Sequence, residues 1–509
     1  MTIARSRVWH ICAPLNLALV AFALFFAGLR IARPDTVFYY TEGPVLGSLA
    51  ALEARGELAD LYPADGWVEP PVVLTLYPPV YFVAAAVLDR GFGSAGTFTG
   101  LRVISAAALL CTLGILAWHT LGRRAPAAWI LALVGATLVT PGVYRVAGGA
   151  QADTLALCLT WVGIAQVIGR RGASIRPGVL PLLGGAAAFL LAFFTKQSFV
   201  AAPAAVTVCL LLEKRTRAAL AFGGGLGTAA LVGVFLLDAV TSGGYLANTL
   251  GALTGSANAA NLWSSLAASQ PLQWVPIVAV VLFALRGQLR SGFAELYLLA
   301  ASALHVTAML KTGSSSNYLL EPMFALLLLA ATRWPREAVP EVTPVRGAVR
   351  SSRVSGVLAG LFAVALGLTA VHAVLDERPA LQGWLASAGG ARVSEFEGHP
   401  LADPLFFPAI LKRGGRPWLN DPYAFGALEE IGRWDPSRLV SDLESHSVPF
   451  ALTTVAPGSR PAPPGLGTRE LVMAYFWRSP PVWTALNAAY RSSTAGPITV
   501  WLPREEPQP

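Results

Sequence analysis

The sequence predicts a mainly α-helical fold: a polytopic membrane bundle of about eleven spans, with juxtamembrane helices and a small extracytoplasmic α/β domain at the C-terminal end. Of the 509 residues, 54% are hydrophobic and 13% are charged, and the mean hydropathy is +0.56. An ordinary soluble domain carries about twice that charged share, so the composition excludes a soluble enzyme. Residues 1–376 hold 25 Lys/Arg against 16 Asp/Glu, and residues 377–509 hold 12 against 13. The net charge of +8 therefore lies in the apolar part, where it indicates topology rather than nucleic-acid binding.

Eleven apolar segments are predicted to span the bilayer, because each approaches the length of about 20 residues that a crossing helix needs. They lie near 11–31, 101–121, 126–143, 152–169, 179–195, 198–213, 218–239, 273–286, 293–310, 318–333 and 354–374. Basic residues cluster at alternate ends, as at Arg123/Arg124 and Lys214/Arg215. This alternation predicts a cytoplasmic N-terminus and an extracytoplasmic C-terminal part.

The first outer loop, residues 32–100, is predicted to hold two helices that lie on the membrane surface. Segment 44–61 has apolar residues at helical spacing with charges between them, and segment 77–88 is short and begins at Pro78-Pro79. Counting 77–88 as a crossing would place most later basic clusters outside, and whether it crosses is left open.

A domain boundary is predicted after residue 375. Residues 1–375 form the membrane module, and residues 376–509 form the soluble domain. In that domain the sequence predicts strands at 416–420, 448–454 and 498–502, helices near 423–432, 436–446 and 482–491, and a Pro/Gly-rich loop at 456–467.

Ionisable residues gather at the predicted outer ends of the spans. They are Asp35, Glu42, Arg145, Asp153, Lys196, Lys311 and Glu321. A charge at the bilayer centre costs about 2.5–3.5 kcal/mol, so such residues usually face a polar cavity or a partner. The alternative is that each is an interfacial residue wetted by lipid headgroups.

This layout suits the transfer of a group from a lipid-linked anionic donor. A loop carboxylate can accept a proton from an incoming hydroxyl, and Glu42 is the first candidate for this base and Asp35 the second. Arg145, Lys196 and Lys311 are candidate phosphate ligands, because basic side chains stabilise charge that grows on a leaving phosphate.

Five further residues are supporting candidates. Asp153 is predicted to position Arg145 or Lys196, or to act only as an interhelical hydrogen-bond partner. Glu321 is either a site residue or a partner for Lys311, and it ends the polar run that includes Asn317 and Tyr318. Tyr77 either marks a rigid helix start at Pro78-Pro79 or contacts a sugar ring.

Several short motifs together resemble the polytopic GT-C glycosyltransferases, the polyprenyl- or dolichyl-phosphate-sugar-dependent enzymes that include protein O-mannosyltransferases and aminoarabinose transferases. The motifs are the acidic residues of the first outer loop, LYPPVYF at 76–82, Gln-Ala-Asp at 151–153 and FFTKQSF at 193–199. The tail text RPWLNDPYAFGALEEIGRWDPSRLVSDL at 416–443 resembles bacterial members. The resemblance implies a bacterial inner-membrane, multi-pass enzyme with an inverting transfer from a polyprenyl-phosphate sugar. It also implies an outer-loop carboxylate base, here Glu42 or Asp35.

The predicted partners are a polyprenyl-phosphate-linked sugar, membrane lipids and an acceptor hydroxyl on a lipid, glycan or protein, and nucleic acid is not expected. No cofactor is predicted. The six histidines are scattered, no cluster has metal-ligand spacing, and a divalent metal is left open. Two other classes compete with the enzyme: a multi-pass transporter or lipid flippase, and a non-catalytic assembly protein. The charges lie at one face and the sequence has no internal repeat, which favours the enzyme over a transporter.

Overall fold

The computed structural model is mainly helical, with one small sheet in the tail. It describes residues 21, 24–25, 27–33, 37, 41–64, 67–121, 148–168, 175–176, 178–251, 262–263, 292–310, 316–333, 399–453, 479–495 and 498–504. The predicted spans 126–143, 273–286 and 354–374, most of 11–31, and the loop 456–467 lie outside these residues.

The first loop contains helices in both of the segments that were predicted to be helical. The segment predicted at 44–61 is α1 (Glu42–Arg55) followed by α2 (Leu58–Leu61), and the segment predicted at 77–88 is α3 (Val80–Phe92). Gly56 and Gly93 end α1 and α3 in the left-handed conformation, which glycine adopts without steric cost.

The helices of the bundle fall on seven of the predicted spans, except the short helix Gly244–Leu246, which lies just after the span predicted at 218–239. They are α4 (Thr99–Leu121), α5 (Asp153–Ile168), α6 (Val179–Phe193), α7 (Ala201–Leu212), α8 (Thr216–Ala219), α9 (Gly225–Val240), α10 (Gly244–Leu246), α11 (Phe293–Ala308) and α12 (Leu320–Arg333). A π-turn at Leu220–Gly224 joins α8 to α9. Among the described residues, Thr99–Thr120 and Thr216–Val240 are long and apolar enough to cross a membrane, and five shorter apolar helices accompany them.

One apolar core holds the bundle together. It is built from α4 to α7 with α11 and α12, and its large side chains include Trp161, Phe189 and Phe324. Helix α5 packs against α6 and α4, and α11 packs against both α7 and α12. The α5–α6 contact needs a glycine, because a Cβ added to Gly163 would lie 2.7 Å from the Phe189 ring.

The tail folds around a four-stranded sheet with the order β1-β2-β4-β3. Its strands are β1 (Leu401–Ala402), β2 (Ala451–Thr453), β3 (Tyr490–Ala495) and β4 (Ile498–Pro503). β1 pairs parallel with β2, and the other pairs are antiparallel. The tail helices are α13 (Phe407–Lys412), α14 (Pro422–Glu430), α15 (Ser437–Glu444) and α16 (Pro480–Ala489).

Local sequence explains where two tail helices begin. Asp421 and Ser479 each cap a helix by accepting from a backbone N–H three residues on, and a proline follows each cap.

The strand predicted at 416–420 is wrong: this segment makes a single bridge, between Leu419 and Val72 of the first loop. Its backbone groups bond loop and side-chain partners instead of a neighbouring strand.

The tail and the first loop share one core. Trp67, Val72 and Leu74 of the loop pack with tail residues such as Trp418 and Trp434. Asn420 links the two parts, because its Oδ1 accepts from the backbone N of Leu74 at 2.8 Å and its Nδ2 donates to Ser48 Oγ at 3.1 Å. This packing fixes the segment that leads from the tail contact at Leu74 towards α3.

Candidate active site

A buried ion pair joins the start of α5 to the turn between α6 and α7. Asp153 is the first residue of α5, and Lys196 lies in the turn between α6 and α7. Their atoms Oδ1 and Nζ are 2.5 Å apart, and the two side chains are 2% and 5% exposed. A carboxylate at a helix N-terminus is favoured by the helix dipole, and the lysine neutralises it in a buried setting. The sequence left open whether Asp153 positions Arg145 or Lys196 or acts only as an interhelical hydrogen-bond partner, and the structure places it against Lys196.

Two tyrosine rings flank the ammonium group of Lys196. Its Nζ lies 5.5 Å from the ring centroid of Tyr77 and 5.1 Å from that of Tyr318, within the range of cation–π attraction. Asn317, next to Tyr318, donates from Nδ2 to Asp153 Oδ1 at 3.3 Å. The structure therefore brings together five residues singled out in the sequence, which are Asp153, Lys196, Tyr77, Asn317 and Tyr318.

Backbone contacts hold Tyr77 at this place. The backbone N of Val80 donates to the carbonyl of Phe194 at 3.1 Å, and Gln197 Nε2 donates to the carbonyl of Leu76 at 3.2 Å. Burial raises the pKa of Tyr77 to about 12, although the charge of Lys196 lowers it. The phenol thus stays protonated at neutral pH and can donate a hydrogen bond to an anion.

Four buried polar atoms, on Asp153 and on residues close to it or to Lys196 in the chain, have no hydrogen-bond partner among the described residues. They are Gln151 Oε1, Asp153 Oδ2, Gln197 Oε1 and Ser198 Oγ. Buried polar groups in native proteins almost always bond to protein, water or ligand. A ligand with several hydroxyl groups, or ordered water, would satisfy this set.

Glu42 lies in a buried salt bridge close to this site. Its Oε2 is 2.8 Å from Arg102 Nη2 and its Oε1 is 3.3 Å from Arg102 Nε, and the side chains of both residues are fully buried. Oε1 also accepts from the backbone N of Ala150 at 2.9 Å, three residues before Asp153. Both oxygens of Glu42 are thus occupied, which favours an anchoring role over that of proton acceptor.

The remaining candidates are placed as follows. Glu321 is fully buried and bonds His305, a residue that the sequence analysis did not select. Asp35, Arg145 and Lys311 lie outside the described residues. Arg102 was also missed, although a single arginine inside an apolar helix is itself a signal of a buried partner. Within the described ranges, no three His, Cys, Asp or Glu side chains could together hold a metal ion.

The fold matches solved structures of the class that the sequence motifs resemble. Two solved structures of ArnT from Cupriavidus metallidurans, an aminoarabinose transferase, share it. The structure bound to undecaprenyl phosphate has a TM-score of 0.55 and 15% sequence identity, covering 96% of this chain and 98% of that chain. The apo structure has a TM-score of 0.51 and 15% identity, covering 95% and 97%. No family model and no curated relative matches the sequence. At this identity the likeness is one of fold.

Proposed function

We propose that this protein is a membrane glycosyltransferase that moves a sugar from a polyprenyl-phosphate donor to an acceptor hydroxyl on the extracytoplasmic face. The observation that carries the proposal is the buried Asp153–Lys196 pair between Tyr77 and Tyr318, in a fold that ArnT shares. The ArnT structure with undecaprenyl phosphate bound supports the same class of donor for this chain.

In this proposal Lys196 binds the phosphate of the donor. One of the three N–H donors of its ammonium group is taken by Asp153, and the others are free to bond phosphate oxygens. The hydroxyl groups of Tyr77 and Tyr318 are proposed to donate to the same phosphate. Arg145 and Lys311 are proposed as further cations at this site.

The proposed reaction is an in-line displacement at the anomeric carbon. The acceptor oxygen forms the new glycosidic bond while the bond from the anomeric carbon to the phosphate oxygen breaks, and polyprenyl phosphate leaves with the electron pair. A carboxylate takes the proton of the acceptor hydroxyl. We propose Asp35 as that base and Glu42 as an anchor, because both oxygens of Glu42 already accept from Arg102.

The buried unpartnered oxygens near Asp153 fit the sugar. Gln197 Oε1, Ser198 Oγ and Asp153 Oδ2 can each accept from a sugar hydroxyl. A site built to bond several hydroxyls would discriminate among sugars, because a missing hydroxyl leaves a buried acceptor unpaired.

The test is turnover by the purified protein in nanodiscs with a panel of polyprenyl-phosphate sugars, followed by mass spectrometry of the released polyprenyl phosphate. We expect release with at least one sugar in the presence of a hydroxyl acceptor. A Lys196→Met variant should lose it, and Arg217→Ala, an exposed basic residue of α8, should keep it. Release that persists unchanged in Lys196→Met would contradict the assigned site.

A further inference from the structure

A second buried polar pair lies next to the candidate site and takes no part in the proposed reaction. Nε2 of His305 and Oε2 of Glu321 are 2.5 Å apart, and their side chains are 2% and 0% exposed. His305 lies in the last turn of α11, and Glu321 is the second residue of α12. The contact therefore joins the ends of two helices that pack against each other.

His305 touches both segments that form the site. Its ring is 5.9 Å from Phe199, which follows Lys196 in the turn between α6 and α7, and 6.0 Å from Tyr318. Tyr318 lies in the 3₁₀ turn Ser316–Leu319, which leads directly into α12. Glu321 is three residues beyond Tyr318, so a bond at Glu321 fixes how the chain enters the helix.

The two side chains depend on each other. The polar link between the two helix ends runs through Nε2 of His305 and Oε2 of Glu321, and the buried Tyr297 of the same helix as His305 also interacts with Glu321. A buried pair of this kind is a poor source of net stability, because desolvation offsets the attraction. It does specify one arrangement, since a short bond between two rigid helices tolerates little movement.

We propose that His305 and Glu321 are positioning residues, which hold the turn Ser316–Leu319 so that Asn317 and Tyr318 face the Lys196–Asp153 pair. The identity of the ligand there, a polyprenyl phosphate, rests on the proposed function. The positioning itself rests on the contacts of His305 with Glu321, Tyr318 and Phe199.

The main test replaces the pair by apolar residues of similar volume, in the double variant His305→Phe with Glu321→Leu. Replacing both members of a buried hydrogen-bonded pair by apolar groups of similar shape is often neutral or stabilising, so the variant should fold. Undecaprenyl phosphate is titrated into the protein in nanodiscs and binding is read by native mass spectrometry. We expect affinity to fall about tenfold, the size of one lost charge-assisted hydrogen bond at the ligand. Affinity equal to that of the unmodified protein would overturn the proposal.

Two single variants separate positioning from a general effect of substitution. Glu321→Gln keeps an amide that can bond His305 Nε2, so its affinity should stay within about threefold of the unmodified protein. Thr307→Ala changes an exposed residue of the same helix end and should leave affinity unchanged. A loss of affinity in Glu321→Gln as large as in the double variant would contradict the role of the hydrogen bond.

A readout without ligand distinguishes this inference from the proposed function. With 3-fluorotyrosine at position 318, the ¹⁹F resonance should shift in the apolar double variant and not in Thr307→Ala. An unchanged resonance in the double variant would overturn the positioning, whatever the protein binds. Failure of the unmodified protein to bind undecaprenyl phosphate, with the resonance shifted as expected, would count against the proposed function and leave the positioning supported.

Discussion

Both carboxylate oxygens of Glu42 accept from the guanidinium of Arg102, at 2.8 Å and 3.3 Å. The third nitrogen of the same guanidinium, Nη1, donates to the backbone carbonyls of Arg30 and Arg33 at 2.9 and 2.8 Å. Arg102 thus ties the start of α1 to the chain that enters the first loop. The Glu42 carboxylate is thus bonded within this arrangement, and the sequence between Arg33 and Glu42 carries the other acidic candidate, Asp35.

The two acidic candidates should respond differently to a neutral replacement. Glu42→Gln should lower the melting temperature, because removing one member of a buried pair costs about 3–5 kcal/mol. Asp35→Asn should leave the melting temperature unchanged and reduce kcat by about a hundredfold or more, the usual contribution of a general base. Melting curves and single-turnover rates of both variants provide the measurement. Loss of kcat in Glu42→Gln with normal melting would return the base role to Glu42.

Lys196 should matter more for the donor than for the acceptor. We expect Lys196→Ala to raise the donor KM about tenfold or more, as for a lost hydrogen bond to a charged group, with a smaller effect on the acceptor KM. Because the single change leaves Asp153 buried and unpaired, the double variant Asp153→Asn with Lys196→Met supplies the folded control. An equal rise of both KM values would remove the phosphate-binding role.

Glu53 of α1 should make stability depend on pH. Burial raises the pKa of Glu53 to about 7, the N–H of Gly96 lowers it and the charge of Asp89 raises it. The folded state therefore holds the proton more tightly than the unfolded chain, and this stabilisation is present below about pH 4.5 and lost as the pH rises through 7. Glu53→Gln has no carboxyl group to titrate and should not lose stability in this way. The melting temperature of Glu53→Gln minus that of the unmodified protein should therefore be greater at pH 8 than at pH 5.

The matched control for Glu53 is Glu57→Gln, which changes an exposed carboxylate just past the end of the same helix. Its melting temperature should follow that of the unmodified protein at every pH. A pH-independent difference between Glu53→Gln and the unmodified protein would contradict the raised pKa.

The contact between α1 and the tail should be sensitive to a single methyl group. A Cβ on Gly43 would lie 2.8 Å from the carbonyl oxygen of Pro404, so Gly43→Ala should destabilise the protein by about 1–3 kcal/mol, as overpacking does. Gly91→Ala in α3 meets nothing within 4 Å and should be neutral or slightly stabilising. Limited proteolysis should cut the tail faster in Gly43→Ala alone, and equal rates would show that the contact is absent.

The helices of the bundle were predictable because their apolar runs are long. Predicted ends such as 152–169 and 179–195 agree closely with Asp153–Ile168 and Val179–Phe193. The tail was harder, because its strands are two to six residues long and β2 pairs with β1 and β4 across large separations in the chain. The sequence does not predict β1 and β3. The apolar residues of 416–420 predict a strand, but they pack in the core without forming a ladder.

The candidate site was predictable in part, from charge in an apolar context. Asp153 and Lys196 stand out because few charges interrupt the neighbouring helices, and they do pair. The sequence offered no means of choosing which partner a buried carboxylate finds. Glu42 bonds Arg102, 60 residues away, and Glu321 bonds His305, 16 residues away.

Asn420 bonds Leu74 across 346 residues of chain. Almost the whole polypeptide must therefore be synthesised before the segment preceding α3 can reach its final conformation. The tail residues that pack against this segment are translated last. Nascent chains truncated before residue 399 would lack the tail residues that pack against this segment. Such an order of assembly would keep partly synthesised copies from acting before they are complete.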